Sequence, residues 1–267
     1  MTCRICASQT NVLFRATILS KYDIAYYECP TCRFVQTETP YWLDEAYQSA
    51  FTTTDTGTLR RGQVLGDSAI ALLFFLFNRS GRFVDYAGGY GVLTRYMRDA
   101  GFAFYTTDPY APNLLAKGFE ATLPTNTADR YDLATAFECF EHFVHPAEEL
   151  RKILAYTDNV FFTTQPCPTP APAVTDWWYY APHHGQHVAL YRPETLAYLG
   201  KQVGLHYYNL LNYHLYTRKP IPPLVFPLLV AAGRFGLASV LRLFLKSKTV
   251  SDAALLEQRT QAGRLTV

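Results

Sequence analysis

Four cysteines near the N-terminus stand in two pairs whose spacing suits a metal ion. Cys3 and Cys6 form the first C-x-x-C pair, and Cys29 and Cys32 form the second. Two short turns of this kind can present four thiolates to a tetrahedral zinc ion. Because four thiolates fill the coordination shell, the predicted zinc is structural, and we expect residues 1–38 to fold as a knuckle only with metal. A disulfide or redox pair and free thiols are the alternatives.

A glycine-rich turn, DYAGGYG from Asp85 to Gly91, joins a short apolar strand to a helix. Small residues let the backbone approach a ligand closely, and an acidic residue at the end of the next strand can bind a ribose diol. Asp108 is placed for that role. The acidic Asp85 disfavours a phosphate and favours a cofactor that carries a positive charge. A turn that only joins strand to helix is the alternative.

Strands and helices alternate along the middle of the chain. Hydrophobic spacing predicts helices over 64–77, 92–100 and 146–156, strands over 82–86, 102–107, 131–137 and 160–164, and an antiparallel hairpin over 206–211 and 213–217. Such alternation is typical of a parallel sheet with helical crossovers. We therefore predict an α/β fold with a doubly wound, mostly parallel sheet, a small N-terminal zinc knuckle and a C-terminal helical tail.

These motifs resemble those of class I S-adenosylmethionine-dependent methyltransferases, whose sheet is Rossmann-like. Residues 84–91 resemble the first family motif, Asp108 the second, and 132–142 (DLATAFECFEH) the fourth. The resemblance extends over residues 1–218 to a subgroup that has an N-terminal zinc-binding domain and includes sugar C-methyltransferases. The segments that carry this further resemblance are PYWLDEAY at 40–47, DWWYYAP at 176–182 and HGQHVALY at 184–191.

The resemblance implies S-adenosylmethionine as the cofactor. The residues that it assigns to cofactor binding are Asp85, Ala87, Gly89, Gly91, Asp108, Pro109, Asp129, Phe137 and Glu138. Asp85 and the two glycines would line the methionine and ribose, Asp108 would hold the ribose hydroxyls, and Ala128 or Asp129 would lie near adenine. Ala87 departs from the motif, which commonly has glycine there. Alanine is small enough that we expect cofactor binding to survive.

The resemblance also implies three catalytic residues, His187, His184 and Glu138. In sugar C-methyltransferases the corresponding loop reads Tyr-His-Glu-His, and its last histidine is the base. Here the loop reads HGQH, so His187 matches the base. Gln186 occupies the position of the glutamate, and the loss of this acid weakens the case for C-methylation. A surface or hydrogen-bonding role is the alternative for a loop histidine. The Glu-His pair at 141–142 could instead cap the next helix.

The composition excludes several classes of protein. Of the 267 residues, 49% are hydrophobic and 17% are charged, as in ordinary globular proteins. The formal net charge of +2 leaves no general basic field, so we expect no nucleic-acid partner. No run of 18 uncharged apolar residues is present, so we expect no membrane span.

The C-terminal tail has a different character. Residues 221–245 are almost wholly apolar but include Arg234 and Arg242, and Lys246 and Lys248 follow. This pattern predicts a basic amphipathic helix or helix pair. It could dock on the fold or form a dimer interface, or it could attach to an anionic membrane surface.

Together these observations predict a zinc-binding knuckle at 1–38, a linker and active-site segment at 39–61, a methyltransferase domain at 62–218 and a helical tail at 219–267. We expect methyl transfer to a small-molecule or glycan acceptor, above all a sugar, at carbon or oxygen. The alternative is an inactive cofactor-fold binding module that its knuckle and tail recruit to a partner or membrane. We expect a cytoplasmic protein, with peripheral contact at the inner membrane face through the tail. The acceptor and the oligomeric state stay open.

Overall fold

The computed structural model describes residues 1–48 and 56–263. Part of the predicted linker at 39–61 and the end of the predicted tail lie outside the described residues. The chain forms two compact units. The first unit comprises Met1–Thr52, Phe137–Leu154 and Phe162–Ile221, and the second unit comprises Thr53–Ala136, Ala155–Phe161 and Pro222–Val267. The predicted domain boundaries stay predictions.

Ten strands and eight α-helices lie within the described ranges. The strands are β1 (Asn11–Ile18), β2 (Tyr22–Glu28), β3 (Val35–Thr37), β4 (Arg82–Tyr86), β5 (Ala103–Thr107), β6 (Leu133–Ala136), β7 (Val160–Thr163), β8 (Ala189–Leu190), β9 (His206–Leu210) and β10 (Tyr213–Thr217). The helices are α1 (Leu43–Ala46), α2 (Thr58–Leu76), α3 (Val92–Asp99), α4 (Pro146–Tyr156), α5 (Pro193–Gln202), α6 (Val225–Ala232), α7 (Ala238–Arg242) and α8 (Thr249–Gln261).

The larger sheet confirms the predicted doubly wound, mostly parallel arrangement. Its strand order is β5-β4-β6-β7-β10-β9. Strand β4 pairs in parallel with both β5 and β6, and β9 pairs antiparallel with β10, as the predicted hairpin requires. After β4 the chain forms β5 on one side of β4. It then crosses over and forms β6 on the other side of β4, so the direction of winding reverses at β4. Ligands of such sheets bind at the carboxyl ends of the strands beside this reversal.

The smaller sheet belongs to the first unit and joins distant parts of the chain. Its antiparallel order is β1-β2-β3-β8. Arg4 reinforces the join, because its Nη2 donates to the carbonyls of Thr37 (3.2 Å) and Val188 (2.8 Å). The indole N–H of Trp42 donates to the Gly185 carbonyl at 2.7 Å. The N-terminal segment therefore does not stand alone, since it pairs with β8.

The tail docks on α2 within the second unit. A Cβ at Gly233 would lie 2.6 Å from the carbonyl oxygen of Asp67, so the two helices approach closely there. Arg242 donates to the Asp67 carboxylate at 3.0 Å. Helix α8, which lies within the predicted helical tail at 219–267, is held by Asp252, whose two oxygens accept bidentate hydrogen bonds of 2.7 Å from the buried Arg98 guanidinium.

One helical stretch among the described residues could cross a membrane by length and composition alone, against the expectation from sequence. It is Val225–Arg242, 18 residues with a mean hydropathy of 1.5, and 28% of it is buried in the structure. The backbone leaves helical geometry at Phe235 (φ −99°) and Gly236 (φ +108°). Because a span needs its backbone groups satisfied within a continuous helix, this break and the packing on α2 favour a docked helix pair.

Candidate functional site

The glycine-rich turn between β4 and α3 uses left-handed backbone conformations. Ala87, Gly89 and Gly91 have φ values of 56°, 55° and 83°. Alanine pays roughly 1 to 2 kcal/mol in this region, which gives a physical reason why glycine is usual at position 87. A Cβ at Gly91 would lie 2.6 Å from the Asn113 side-chain oxygen. The turn therefore needs a residue without a side chain at Gly91.

Asp108 fixes this turn from the end of β5. Its Oδ2 accepts the N–H of Gly89 at 2.9 Å, and its Oδ1 accepts the N–H groups of Tyr110 (2.7 Å) and Ala111 (3.0 Å). The carboxylate lines a cavity of about 540 Å³ in the second unit. The cavity is lined by Gly89, Thr106, Thr107, Asp108, Ala111, Asn113, Lys117, Gly118, Glu120 and Ala121. Backbone donors thus orient Asp108 towards a space that a ligand can enter.

Asp85 is buried beneath the turn. Its carboxylate accepts hydrogen bonds from Thr135 (2.8 Å) and Thr94 (3.4 Å). Burial raises the pKa of Asp85 to about 7, opposed by these hydrogen bonds and assisted by the charge of Asp108. Beside it, Thr106 lines the cavity, and its buried hydroxyl has no hydrogen-bond partner among the described residues. An unsatisfied polar group at this place fits a cavity that binds a polar ligand.

Of the nine predicted cofactor residues, Gly89 and Asp108 line the described cavity, and the other seven do not: Asp85, Ala87, Gly91, Pro109, Asp129, Phe137 and Glu138. Pro109 is exposed, and Phe137 is half-buried directly after β6. The Asp129 carboxylate accepts from Asn126 (2.6 Å) and Thr125 (3.3 Å) in an exposed turn. Their assignment to the cofactor stays a prediction.

Glu138, in the first unit, has a strained backbone, and one threonine forms hydrogen bonds with both its backbone and its side chain. Its φ is 53°, which is uncommon for a residue with a side chain. Its N–H donates to Thr163 Oγ1 at 3.0 Å, and that hydroxyl donates back to Glu138 Oε1 at 2.6 Å. Strain of this kind is frequent at functional sites.

His187 lies in the first unit with a fixed tautomer. Its Nδ1 is 2.6 Å from the carbonyl oxygen of Tyr179. Because a carbonyl only accepts, Nδ1 carries the proton and Nε2 carries the free lone pair. Burial lowers the pKa of His187 to about 4, so the ring is neutral at pH 7. This arrangement fits a base or a metal ligand.

Glu141 and His142 lie close to His187. The alternative that this pair caps the next helix is wrong, because both residues lie in a short 3₁₀ turn over Phe140–His142 and α4 begins only at Pro146. The ligand atoms of Glu141, His142 and His187 all lie within 4.8 Å of one another. We call these three residues the Glu-His-His cluster. The signal in the sequence was a Glu-His pair placed just after a buried strand.

The pKa values within the cluster are strongly shifted. Burial, followed by the charge of Glu138, raises the pKa of Glu141 to about 8. Burial, followed by the neighbouring His187, lowers the pKa of His142 to about 3. The Nδ1 of His142 lies 2.9 Å from the hydroxyl of Tyr47. Perturbed groups of this kind mark candidate sites of chemistry.

The loop before β8 places the remaining predicted residues. His184 is half-buried, and its catalytic role stays a prediction. The side-chain amide of Gln186 donates to the Ala46 carbonyl at 2.6 Å. A glutamate could not make this bond when ionised, because a carboxylate only accepts. The glutamine therefore serves the packing of the loop instead of a proton transfer.

The four N-terminal cysteines converge in the first unit. All four thiols are unpaired by disulfides, and their sulfur atoms lie within 4.8 Å of one another. The sulfur atoms of Cys3 and Cys32 are 3.5 Å apart, and those of Cys6 and Cys29 are 3.3 Å apart. Four sulfurs around a zinc ion would be about 3.8 Å apart. The donor set and its geometry therefore fit zinc.

Backbone amides also point at this cluster. The N–H of Ile5 donates to the sulfur of Cys3 at 3.4 Å, and the N–H of Cys32 donates to that of Cys29 at 3.5 Å. A hydrogen bond from the Cys32 thiol lowers the pKa of Cys3 to about 5, while the same hydrogen bond raises the pKa of Cys32 and burial raises that of Cys29, so Cys3 is the thiol that ionises first. Donors of this kind stabilise thiolates, which are the form that binds metal.

Comparisons with known proteins give a family. The family profile described as "Methyltransferase domain" matches residues 60–210. Magnesium protoporphyrin IX methyltransferase (ChlM) from Synechocystis PCC 6803 with bound SAH is 15% identical, with a TM-score of 0.45 over 65% of this chain and 90% of that one. The plantazolicin methyltransferase BpumL with SAH is 13% identical, with a TM-score of 0.44 over 74% and 89%. No curated protein matches the sequence.

Proposed function

The chain belongs to the methyltransferase domain family and is an S-adenosylmethionine-dependent methyltransferase, and from this premise we propose that its acceptor is a sugar hydroxyl, free or within a glycan. The observation that supports the cofactor half of the site is the carboxylate of Asp108, fixed by three backbone N–H groups at the edge of the cavity. Its remaining lone pair, on Oδ2, can accept a hydrogen bond from one ribose hydroxyl.

The cofactor, when bound, supplies a methyl group on a sulfonium sulfur. The protein binds it through Asp108 and through the close backbone approach that Gly89 and Gly91 permit. Transfer also requires that the acceptor loses a proton. We assign this task to the Glu-His-His cluster, in which the Nε2 of His187 carries a free lone pair.

Two observations support a sugar as the acceptor and a hydroxyl oxygen as the methylated atom. Trp178, which is 75% exposed, directly precedes Tyr179, whose carbonyl holds His187. An exposed indole can pack against the apolar face of a sugar ring. Gln186 donates its amide to the backbone, so no acid is present at that loop position to strengthen a base. Methylation of a hydroxyl, which needs a weaker base than methylation of carbon, therefore fits better.

Replacing Asp108 with Ala is expected to weaken S-adenosylmethionine binding by about 1 to 3 kcal/mol, through the loss of a charge-assisted hydrogen bond to the ribose. Calorimetric titration of both proteins measures the difference. Asp158→Ala, which removes an acid of the same unit that does not line the cavity, is the matched control and should bind as the parent does. Equal affinities of Asp108→Ala and parent would remove Asp108 from the site.

The acceptor is tested by a screen. Nucleotide sugars and glycans are incubated with the protein and cofactor, and release of S-adenosylhomocysteine is followed. Turnover with a sugar, and a product methylated on oxygen, is the expected result. Turnover only with acceptors of other classes would refute the sugar proposal. Cofactor binding without turnover on any class would favour the inactive binding module.

The second unit also presents an exposed apolar surface on its tail. Leu228 on α6 and Val240 on α7 are exposed, and so are four large apolar side chains that flank these two helices, Leu224, Phe235, Leu243 and Phe244. We call these six residues the tail apolar face. Its most exposed members are Phe235 (86%) and Leu243 (82%). The opposite side, which includes Phe226, Val230 and Leu241, is buried.

Charge indicates what this face contacts. From residue 219 to residue 251 the chain has five basic side chains and no Asp or Glu. Apolar side chains beside an excess of basic groups match the surface of an anionic bilayer. We therefore propose peripheral attachment of the tail to anionic lipid.

Vesicle sedimentation tests the attachment. The protein is expected to bind phosphatidylglycerol vesicles but not phosphatidylcholine vesicles, because both apolar and electrostatic contacts are needed. A variant with Phe235→Ser and Leu243→Ser should lose at least about 10-fold in affinity. Leu123→Ser, at an exposed leucine elsewhere in the unit, is the matched control. Unchanged binding of the double variant, or a parent protein that dimerises through this face and ignores lipid, would refute the proposal.

A further inference from the structure

We propose that Glu141, His142 and His187 together bind one divalent transition-metal cation, at a site distinct from the four cysteines. The inference deepens the proposed function and rests on it for the reaction, but the binding of the ion can be measured alone. Each residue offers one ligand atom, and these atoms all lie within 4.8 Å of one another in the first unit. Ligand atoms about 2.0 to 2.2 Å from a common ion are about 3 to 4 Å apart, so small side-chain rotations would complete the shell.

Glu141 gives the first independent reason. Its side chain is 1% exposed, and its Oε2 has no hydrogen-bond partner among the described residues. Buried polar atoms are almost always paired, so the unpaired Oε2 calls for a partner, although the carboxyl group as a whole also interacts with Tyr179 and Thr164. A cation held between this oxygen and two imidazoles would satisfy it.

The orientation of the histidines gives the second reason. A histidine that binds metal usually donates its other ring N–H to a carbonyl or carboxylate, which fixes the ring and its tautomer. His187 makes this contact, since its Nδ1 donates to the Tyr179 carbonyl and its Nε2 stays available. His142 is oriented by the hydroxyl of Tyr47. The two rings lie at 85° with centroids 5.1 Å apart.

The donor set indicates the kind of ion. Imidazole nitrogens favour transition metals over Mg²⁺ and Ca²⁺, and one carboxylate with two histidines leaves coordination positions open. The cysteine cluster offers four soft thiolates instead, which favour zinc. Mn²⁺ stands lowest in the usual order of affinities for divalent metals and does not displace zinc from thiolates. Added Mn²⁺ therefore probes the Glu-His-His cluster while zinc stays on the cysteines.

An ion here changes how the acceptor would be activated. A hydroxyl bound at one of the open positions would have a lowered pKa and would give its proton to solvent water. In the loaded enzyme the Nε2 of His187 binds the ion, so His187 acts as a ligand and does not take the proton itself.

The test titrates MnCl₂ into the full-length, zinc-loaded protein, followed by electron paramagnetic resonance, and measures S-adenosylmethionine binding on the same samples. We expect about one Mn²⁺ per chain, with affinity reduced by roughly 10- to 100-fold or more in Glu141→Gln and in His187→Ala. His183→Ala, at an exposed histidine of the same loop, should bind Mn²⁺ as the parent does.

The outcomes separate the two proposals. If the parent binds the cofactor but no Mn²⁺, or if both variants bind Mn²⁺ as tightly as the parent, the cation site is refuted. Loss of cofactor binding with Mn²⁺ retained would instead count against the proposed function. Glu141→Gln keeps the shape of the side chain and places a neutral group where burial already raises the pKa of the carboxyl to about 8, so it should fold. Circular dichroism of each variant verifies that the fold is retained.

Discussion

A His187→Gln variant is expected to lose about 100-fold or more in turnover while its affinity for S-adenosylmethionine stays that of the parent. The parent ring is fixed by the Tyr179 carbonyl, which leaves Nε2 available to the reaction. Glutamine can keep a hydrogen bond to that carbonyl, but it supplies neither an imidazole ligand nor a base. The expected loss therefore falls on kcat, and cofactor binding reports that the second unit is intact.

Single-turnover rates with an acceptor from the screen measure this effect. His183→Gln is a matched control, because it makes the same change at an exposed position of the same loop. Chelation gives a second readout. If the cluster works through a cation, the chelator lowers the parent rate towards that of the variant, and added Mn²⁺ restores the parent only. A fully active His187→Gln would show that His187 only packs the loop.

Loss of zinc is expected to unfold the smaller sheet. We propose that Cys3, Cys6, Cys29 and Cys32 bind one structural zinc per chain. Binding of structural zinc to such sites contributes on the order of 10 kcal/mol, which is comparable to the whole stability of a domain, about 5 to 15 kcal/mol. Freshly reduced protein should contain about one zinc per chain, and Cys29→Ser should abolish the thermal transition of the first unit or lower its midpoint sharply.

The control for this experiment is a buried cysteine outside the cluster. Cys167 is buried in the same unit and is not one of the four. Cys167→Ala should retain zinc and lose only the small stability that a truncated core side chain costs. If zinc-free protein shows an unchanged thermal transition of the first unit, the structural role of zinc is refuted. A disulfide or free thiols would then explain the four cysteines.

Local patterns made much of the fold predictable. Strand β4 and helix α4 have the predicted bounds, Arg82–Tyr86 and Pro146–Tyr156. Their hydrophobic spacing lies within single segments, so the sequence alone displays it. The same is true of the two C-x-x-C pairs, because each pair presents its thiolates from one short turn.

Long-range contacts were the part that the sequence could not display. Strand β8 has only two residues, and it exists because β3 offers an edge far away in the chain. Helix α8 has a weak apolar pattern and is held by the Arg98–Asp252 pair. Glu141 and His142 could be read as a helix cap because their partner, His187, is distant in sequence. Pairings of this kind depend on the folded sheet and leave no local periodicity.

The two-residue strand β8 connects the segment of the four cysteines with the loop that carries His187. It pairs with β3, and Arg4, next to Cys3, holds the carbonyl of Val188 at 2.8 Å. Val188 directly follows His187. Loss of the metal at the four cysteines would therefore loosen a backbone contact beside His187, although no cysteine belongs to the Glu-His-His cluster. The cysteine cluster would thus help to hold the histidine loop in place through backbone hydrogen bonds alone.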